Sequence, residues 1–112
     1  MPPPLSKNVK LIITSQNALR TLAIFTDRRD WDVIAVGNAS AKLAQDMGFK
    51  TVVSAQGNAD DLLAYIEQNY RQSEAEFVYL SGSIVRLDIA KVLSKTRYQA
   101  SRYIYYENMP LD

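Results

Sequence analysis

Apolar residues gather in five short runs, and helix-patterned or polar residues fill the gaps between them. The runs are VKLIIT (9–14), DVIAV (32–36), KTVVS (50–54), EFVYL (76–80) and RYIYYE (102–107). The first four are nearly continuous in Val, Ile, Leu and aromatic residues rather than alternating. That pattern belongs to strands buried on both faces, as in parallel sheets. In the gaps, residues 58–70 set Ala59, Leu62, Leu63, Ile66 and Tyr70 at helical spacing. Residues 38–47 do the same with Ala39, Leu43, Ala44 and Met47, and residues 84–94 with Val85, Ile89, Val92 and Leu93. Residues 17–26 carry a fainter stripe of Ala18, Leu22 and Phe25. Asn17, Asn38, Asn58 and Ser83 are good N-cap residues for the four helices. Gly48 follows the second helix where a left-handed residue is expected.

The alternation predicts β-α-β-α-β-α-β-α-β. Parallel strands joined by right-handed helical crossovers give an α/β three-layer sandwich with a five-stranded parallel sheet. The expected order is 2-1-3-4-5, the flavodoxin-like arrangement. Residues 1–8 read as an extended lead-in or linker stub, and residues 9–112 as a single α/β domain.

Composition narrows the chemistry. The 112 residues are 47% hydrophobic, enough for one core that buries roughly two-thirds of the chain's surface. Thirteen basic against twelve acidic residues leave a net charge of +1, so neither nucleic acid nor an anionic membrane is indicated. Arg28 and Arg29 are balanced by Asp27 and Asp30 and read as a solvated turn. With no Cys and no His, thiol catalysis and a Ser-His-Asp triad are impossible, and acid–base work must fall to Asp, Glu, Lys, Tyr or the substrate. No metal-ligand cluster is visible. The start MPPPLSKNVK has no apolar h-region, and no run approaches the roughly 20 residues of a membrane span. The cytoplasm is the expected compartment.

In an open parallel sheet, ligands bind outside the carboxyl ends of the strands. Here those ends run into TSQNA (14–18), GNAS (37–40), SAQGNADD (54–61) and SGSIVR (81–86). Four strand-to-helix turns on one rim would turn free backbone N–H groups and positive helix ends toward an anion. No glycine-rich nucleotide fingerprint accompanies them. The last run is dense in Tyr: on a regular strand Tyr103 and Tyr105 share one face, and Ile104 and Tyr106 the other. Tyr106, nearest the carboxyl end, is the best placed phenol.

These stretches, in order, resemble the uroporphyrinogen-III synthase family. IITSQNAL resembles its TS-x-x-A turn, and VIAVGNASAKLAQDMGFKTVV its V-x-V-G-x-x-T-A-x-x-L-x-x-x-G segment. SAQGNADDLLAYI is similar to its G-N-A-x-x-L segment, and FVYLSGSIVRLDIAKVL with YIYYENMP to its L-x-G turn and final strand. The resemblance implies an enzyme without metal or organic cofactor that closes hydroxymethylbilane, a linear tetrapyrrole with eight carboxylates, into uroporphyrinogen III, inverting the last pyrrole ring. It implies two α/β domains around a cleft. This chain corresponds to the inserted domain, and the second domain is the implied partner. Thr14, Ser15 and Asn17 would line the cleft, Gly37 would permit close approach, and Ser40 would supply the family's threonine hydroxyl. Gly57 and Asn58 fall on the G-N pair, Ser81 and Gly82 on the L-x-G turn, and Tyr106 on the tyrosine implied to help the substrate hydroxyl leave. Two positions depart from the pattern. Ser81 stands where many members carry an arginine, which would remove a carboxylate partner. Arg97 stands where a helix-ending glycine is usual, and left-handed geometry there would cost roughly 1 kcal/mol. An isolated chain is expected to bind weakly and turn over poorly. The alternative is a non-catalytic flavodoxin-like module for a protein partner or small anion.

Overall fold

A computed structural model describes residues 9–25, 27–72, 75–82 and 88–106, with the backbone alone for Phe25 and residues 103–106. The expected lead-in over 1–8, the cap Ser83 and the apolar position Val85 lie outside the described residues. Five strands, β1 (Val9–Ile13), β2 (Asp32–Ala35), β3 (Val52–Ser54), β4 (Glu76–Gly82) and β5 (Gln99–Tyr106), alternate with four helices. The helices are α1 (Gln16–Phe25), α2 (Asn38–Asp46), α3 (Ala59–Asn69) and α4 (Ile89–Lys95).

All the strand pairs are parallel, in one five-stranded sheet. The α/β class and the all-parallel sheet are as expected. Along the sheet the order is β3-β2-β1-β4-β5. Compared with 2-1-3-4-5, the β2-β1 and β4-β5 neighbours are kept, and β3 lies at the edge beyond β2. The physical reason is burial. β3 has only three residues, all half-buried, which suits an edge. The place beside β1 needs a strand covered on both faces, and β4 is buried from Phe77 through Ser81.

Helices cover both faces. On one, α1 and α2 pack Ala18, Leu19, Leu22 and Ala44 onto Leu11, Ile13, Val33, Val78 and Leu80, with Trp31 and Phe49 closing the end. On the other, α3 and α4 pack Leu62, Ile66, Ile89 and Leu93 onto Ile12, Ile34, Phe77 and Tyr79. Each fully buried Leu, Ile or Phe contributes roughly 2 kcal/mol of transfer free energy. Phe77 sits edge-on between Tyr70 (5.4 Å) and Tyr98 (5.9 Å), and the Tyr98 hydroxyl donates to the Tyr70 carbonyl at 2.7 Å.

The helix ends differ from the cap expectations in instructive ways. Asn58 does cap α3, in a reciprocal box with Asp61. For α1 the cap position falls to Ser15, whose hydroxyl accepts from the Ala18 N–H at 3.4 Å, and Asn17 lies inside the helix. For α2 it is Gly37 in extended geometry, and the Asn38 side chain instead accepts from the Ser54 hydroxyl at 2.7 Å. For α4 it is Asp88, which accepts from the Lys91 N–H, so that helix begins five residues later than the pattern predicted. On α2, Ala39 is exposed and Ser40 and Ala41 are buried, a stripe rotated from the expected one. Gly48 has φ +104° and closes α2 with paired bonds from Gly48 N–H to Gln45 O and Phe49 N–H to Ala44 O. Arg97, where the resemblance put a helix-ending glycine, repeats that motif after α4 at φ +72°. Arg28 and Arg29 are more than a solvated turn. Arg28 pairs with Asp30 and lies over Trp31 at 4.3 Å, and Arg29 donates to the Met47 carbonyl at the end of α2. Among the described residues no helix is long and apolar enough to cross a membrane.

Candidate functional site: the carboxyl rim of the sheet

Because the strands are parallel, their five carboxyl ends share one edge, and the turns that carry the site residues singled out above leave from it. The rim is knit by backbone. Val36 N–H donates to Ile13 O, Ala55 N–H to Ala35 O at 2.8 Å, and Gly57 N–H to Val36 O at 3.1 Å. The β1 and β2 ends and the β3–α3 loop are thereby joined into one ledge.

Side chains continue the ledge. Ser54 donates to Asn38 and accepts from the Gln56 N–H at 3.1 Å, and Gln56 itself adopts φ +60°. Gly57 has a specific steric role: a Cβ there would lie 1.9 Å from the Asp61 carboxylate oxygen that accepts from the Asn58 N–H. Gly37 has nothing within 4 Å of the position a Cβ would take, so its bare backbone faces open space. Thr14 and Ser15 are half-buried and Asn17 is exposed. Ser40, by contrast, is only 6% exposed and lies beneath the rim rather than on it.

The order of the strands divides the rim. From β1 the chain steps outward to β2 and β3, then α3 carries it back across to β4 on the other side of β1. The direction reverses between β1 and β4, and a crevice opens at such a switch point. On the α3/α4 side of this point lies Thr14, whose hydroxyl is 3.3 Å from that of Tyr79, buried beneath it. Beside them Arg102 of β5 donates from Nε to the Ser81 hydroxyl at 2.7 Å, and its Nη1 lies 3.8 Å from Asp88 Oδ2. Ser81 is 3% exposed, and its hydroxyl is therefore committed to the protein. A guanidinium does stand beside Ser81, brought by the neighbouring strand.

Gly82 ends β4, and the pairing slips there. Ser81 stands opposite Ile104 and Gly82 opposite Tyr106, so Tyr105 is passed over. The bulge puts the Tyr106 backbone beside Gly82 at the rim and interrupts the two-residue alternation assumed for the Tyr-rich strand.

Tyr79, Asp88 and Arg102 were not singled out from sequence. The usable signal was positional: Tyr79 and Ser81 share a face by alternation, and Arg102 is the single charged residue within β5. A separate charged cluster sits at the opposite edge. There the Arg28 guanidinium is held above its ordinary pKa chiefly by its hydrogen bond to Asp30, with desolvation opposing and that carboxylate's charge adding to the rise. Among the described residues no three acidic side chains gather as a metal site requires.

The sequence pattern of the family described as uroporphyrinogen-III synthase HemD matches residues 4–112. No curated protein and no solved structure gives a significant match.

Proposed function

The chain belongs to the uroporphyrinogen-III synthase family, whose members work in tetrapyrrole biosynthesis, and from that premise we propose that residues 9–112 form a single α/β domain supplying one wall of a tetrapyrrole cleft. The reaction proposed for the assembled cleft is closure of hydroxymethylbilane to uroporphyrinogen III with inversion of the last ring. The observation that carries the proposal is the carboxyl rim: five parallel strand ends, the exposed starts of α1, α2 and α3, and small or hydroxylated side chains at each turn.

Such a rim suits a substrate rich in carboxylates. Helix N-termini present backbone N–H groups and a partial positive charge without needing a basic side chain at every contact. Gly37 allows backbone to approach the ligand closely, and Thr14, Asn38 and Asn58 offer polar groups along the same ledge. Tyr106 is assigned the reacting end of the substrate, its phenol assisting departure of the hydroxyl. The opposing wall belongs to a second domain, and closing it excludes water so that these contacts strengthen.

The test is cyclisation of hydroxymethylbilane by this chain alone and with the family's companion domain supplied in trans, with the product isomers separated after oxidation to porphyrins. Type III product with the companion domain is the expected outcome, and Tyr106→Phe should lower its rate about 100-fold. Type I product alone in both reactions would refute the catalytic reading.

A further inference from the structure

We infer that Arg102 is a carboxylate-binding residue of the β1/β4 crevice, held ready by Ser81 and Asp88. That the carboxylate belongs to a tetrapyrrole rests on the function proposed above. The site itself rests on three separate observations.

The first is location. Arg102 is paired in register with Tyr79, and its guanidinium reaches two residues further along, to Ser81 at the end of β4 and to Asp88 at the start of α4. That puts a positive charge on the carboxyl side of the switch point, where open parallel sheets take their ligands. The second is pre-organisation. Nε is fixed by a 2.7 Å bond to a serine that is itself buried, which orients the planar fork. A fork held in one plane matches the two oxygens of a carboxylate. The third is the nature of the acidic contact. Nη1 and Asp88 Oδ2 stand 3.8 Å apart, beyond hydrogen-bond length, with side chains 19% and 31% exposed. Asp88 also caps α4 by accepting from the Lys91 N–H at 3.1 Å, so its other oxygen, Oδ2, is the one turned to the arginine. An incoming carboxylate would therefore take over a loose electrostatic contact and leave the cap intact.

The arrangement makes opposite predictions for two substitutions. Arg102→Gln removes the charge and should weaken binding of a carboxylate ligand about tenfold or more, the loss of one charge-assisted hydrogen bond. Asp88→Asn keeps an oxygen for the α4 cap but removes the competing charge, and should tighten binding about two- to fivefold. A purely structural salt bridge would make both variants less stable and neither a tighter binder. Arg102→Lys keeps the charge and loses the fork, and should fall between wild type and Arg102→Gln.

The experiment titrates the full chain, labelled with nitrogen-15, with uroporphyrin I (eight carboxylates) and separately with citrate. The Arg102 Nε–H resonance, identified by its loss in Arg102→Gln, is followed alongside fluorescence binding curves. Movement of that resonance with uroporphyrin I, with the two variants shifting affinity in opposite directions, is the expected result. Uroporphyrin I binding that leaves the resonance and the Arg102→Gln affinity unchanged overturns the inference while the tetrapyrrole reading stands. A response to citrate with none to uroporphyrin I upholds the carboxylate site and removes the tetrapyrrole. No response to either overturns the site.

Discussion

Arg97 should be a worse residue than glycine at its own position. It occupies φ +72° at the end of α4, with its N–H bonded to Ser94 O at 3.1 Å and the following Tyr98 N–H to Leu93 O at 3.0 Å. Both bonds are made by backbone and survive any substitution that keeps this geometry. Left-handed backbone costs an L-residue roughly 1–2 kcal/mol. Glycine removes that penalty but gains freedom in the unfolded chain worth about 0.4–1 kcal/mol. Arg97→Gly should therefore stabilise the fold by about 0.5–1 kcal/mol, a rise in Tm of about 2–4 °C for a domain of this size. Gly48 supplies the reciprocal test. It has φ +104°, and an added Cβ would meet only Arg29 Cγ at an ordinary 3.8 Å. Gly48→Ala should lose about 1 kcal/mol for conformational reasons alone. Thermal melts followed by circular dichroism, checked by urea titration, measure both. If Gly48→Ala falls as stated and Arg97→Gly does not rise, the reasoning fails: the arginine side chain must then contribute as much as its backbone strain removes.

Two further changes test the rim and the core. Gly57→Ala drives a Cβ to within 1.9 Å of the Asp61 carboxylate and breaks the capping box of α3, so the urea midpoint should drop by the equivalent of about 1–2 kcal/mol. Phe77→Ala empties the slot between Tyr70 and Tyr98 in the sheet's α3/α4 face, and a loss of about 3–5 kcal/mol in denaturant unfolding is expected.

The hydrophobic pattern carried most of the fold because strand burial and helix periodicity are local. Continuous runs such as VKLII and EFVYL announce central strands, and Leu62, Ile66, Ile89 and Leu93 face inward as their spacing predicts. Caps were harder to read. Asn, Ser, Asp and Gly compete for the same position, and the choice depends on where the helix starts: Asp88 caps α4 because the helix begins at Ile89 rather than in the SGSIVR stretch. Ser40 shows a different limit. Its hydroxyl is visible in the sequence, but its 6% exposure depends on which face α2 turns to the sheet. Arg102 illustrates a third. Its neighbours are 21 and 14 positions away in the chain, Ser81 and Asp88, and only the β4–β5 register joins them.

Strand order is the least local property of all, and it decides where a ligand would sit. An order of 2-1-3-4-5 puts the reversal beside β3, so that the SAQGN loop and Thr14 would flank the crevice. With β3 at the edge and β4 beside β1, the reversal moves to the opposite side of β1. Thr14 then faces Tyr79 and Ser81. The GNAS and SAQGN turns form a ledge on one side of the crevice, and Gly82, Tyr106 and Arg102 gather on the other. A ligand with one anionic group per turn could rest along the ledge, while an anionic group placed at the switch point would meet Arg102. The chemistry of the wall is therefore unequal along its length: the Asp60 and Asp61 carboxylates stand in the first turn of α3 on the β2/β3 side, and the Arg102 guanidinium lies beside Ser81 on the β4/β5 side. On the function proposed above, that asymmetry would give a polycarboxylate a preferred way round on this surface, and the Arg102→Gln and Asp88→Asn pair would measure how strongly it is preferred.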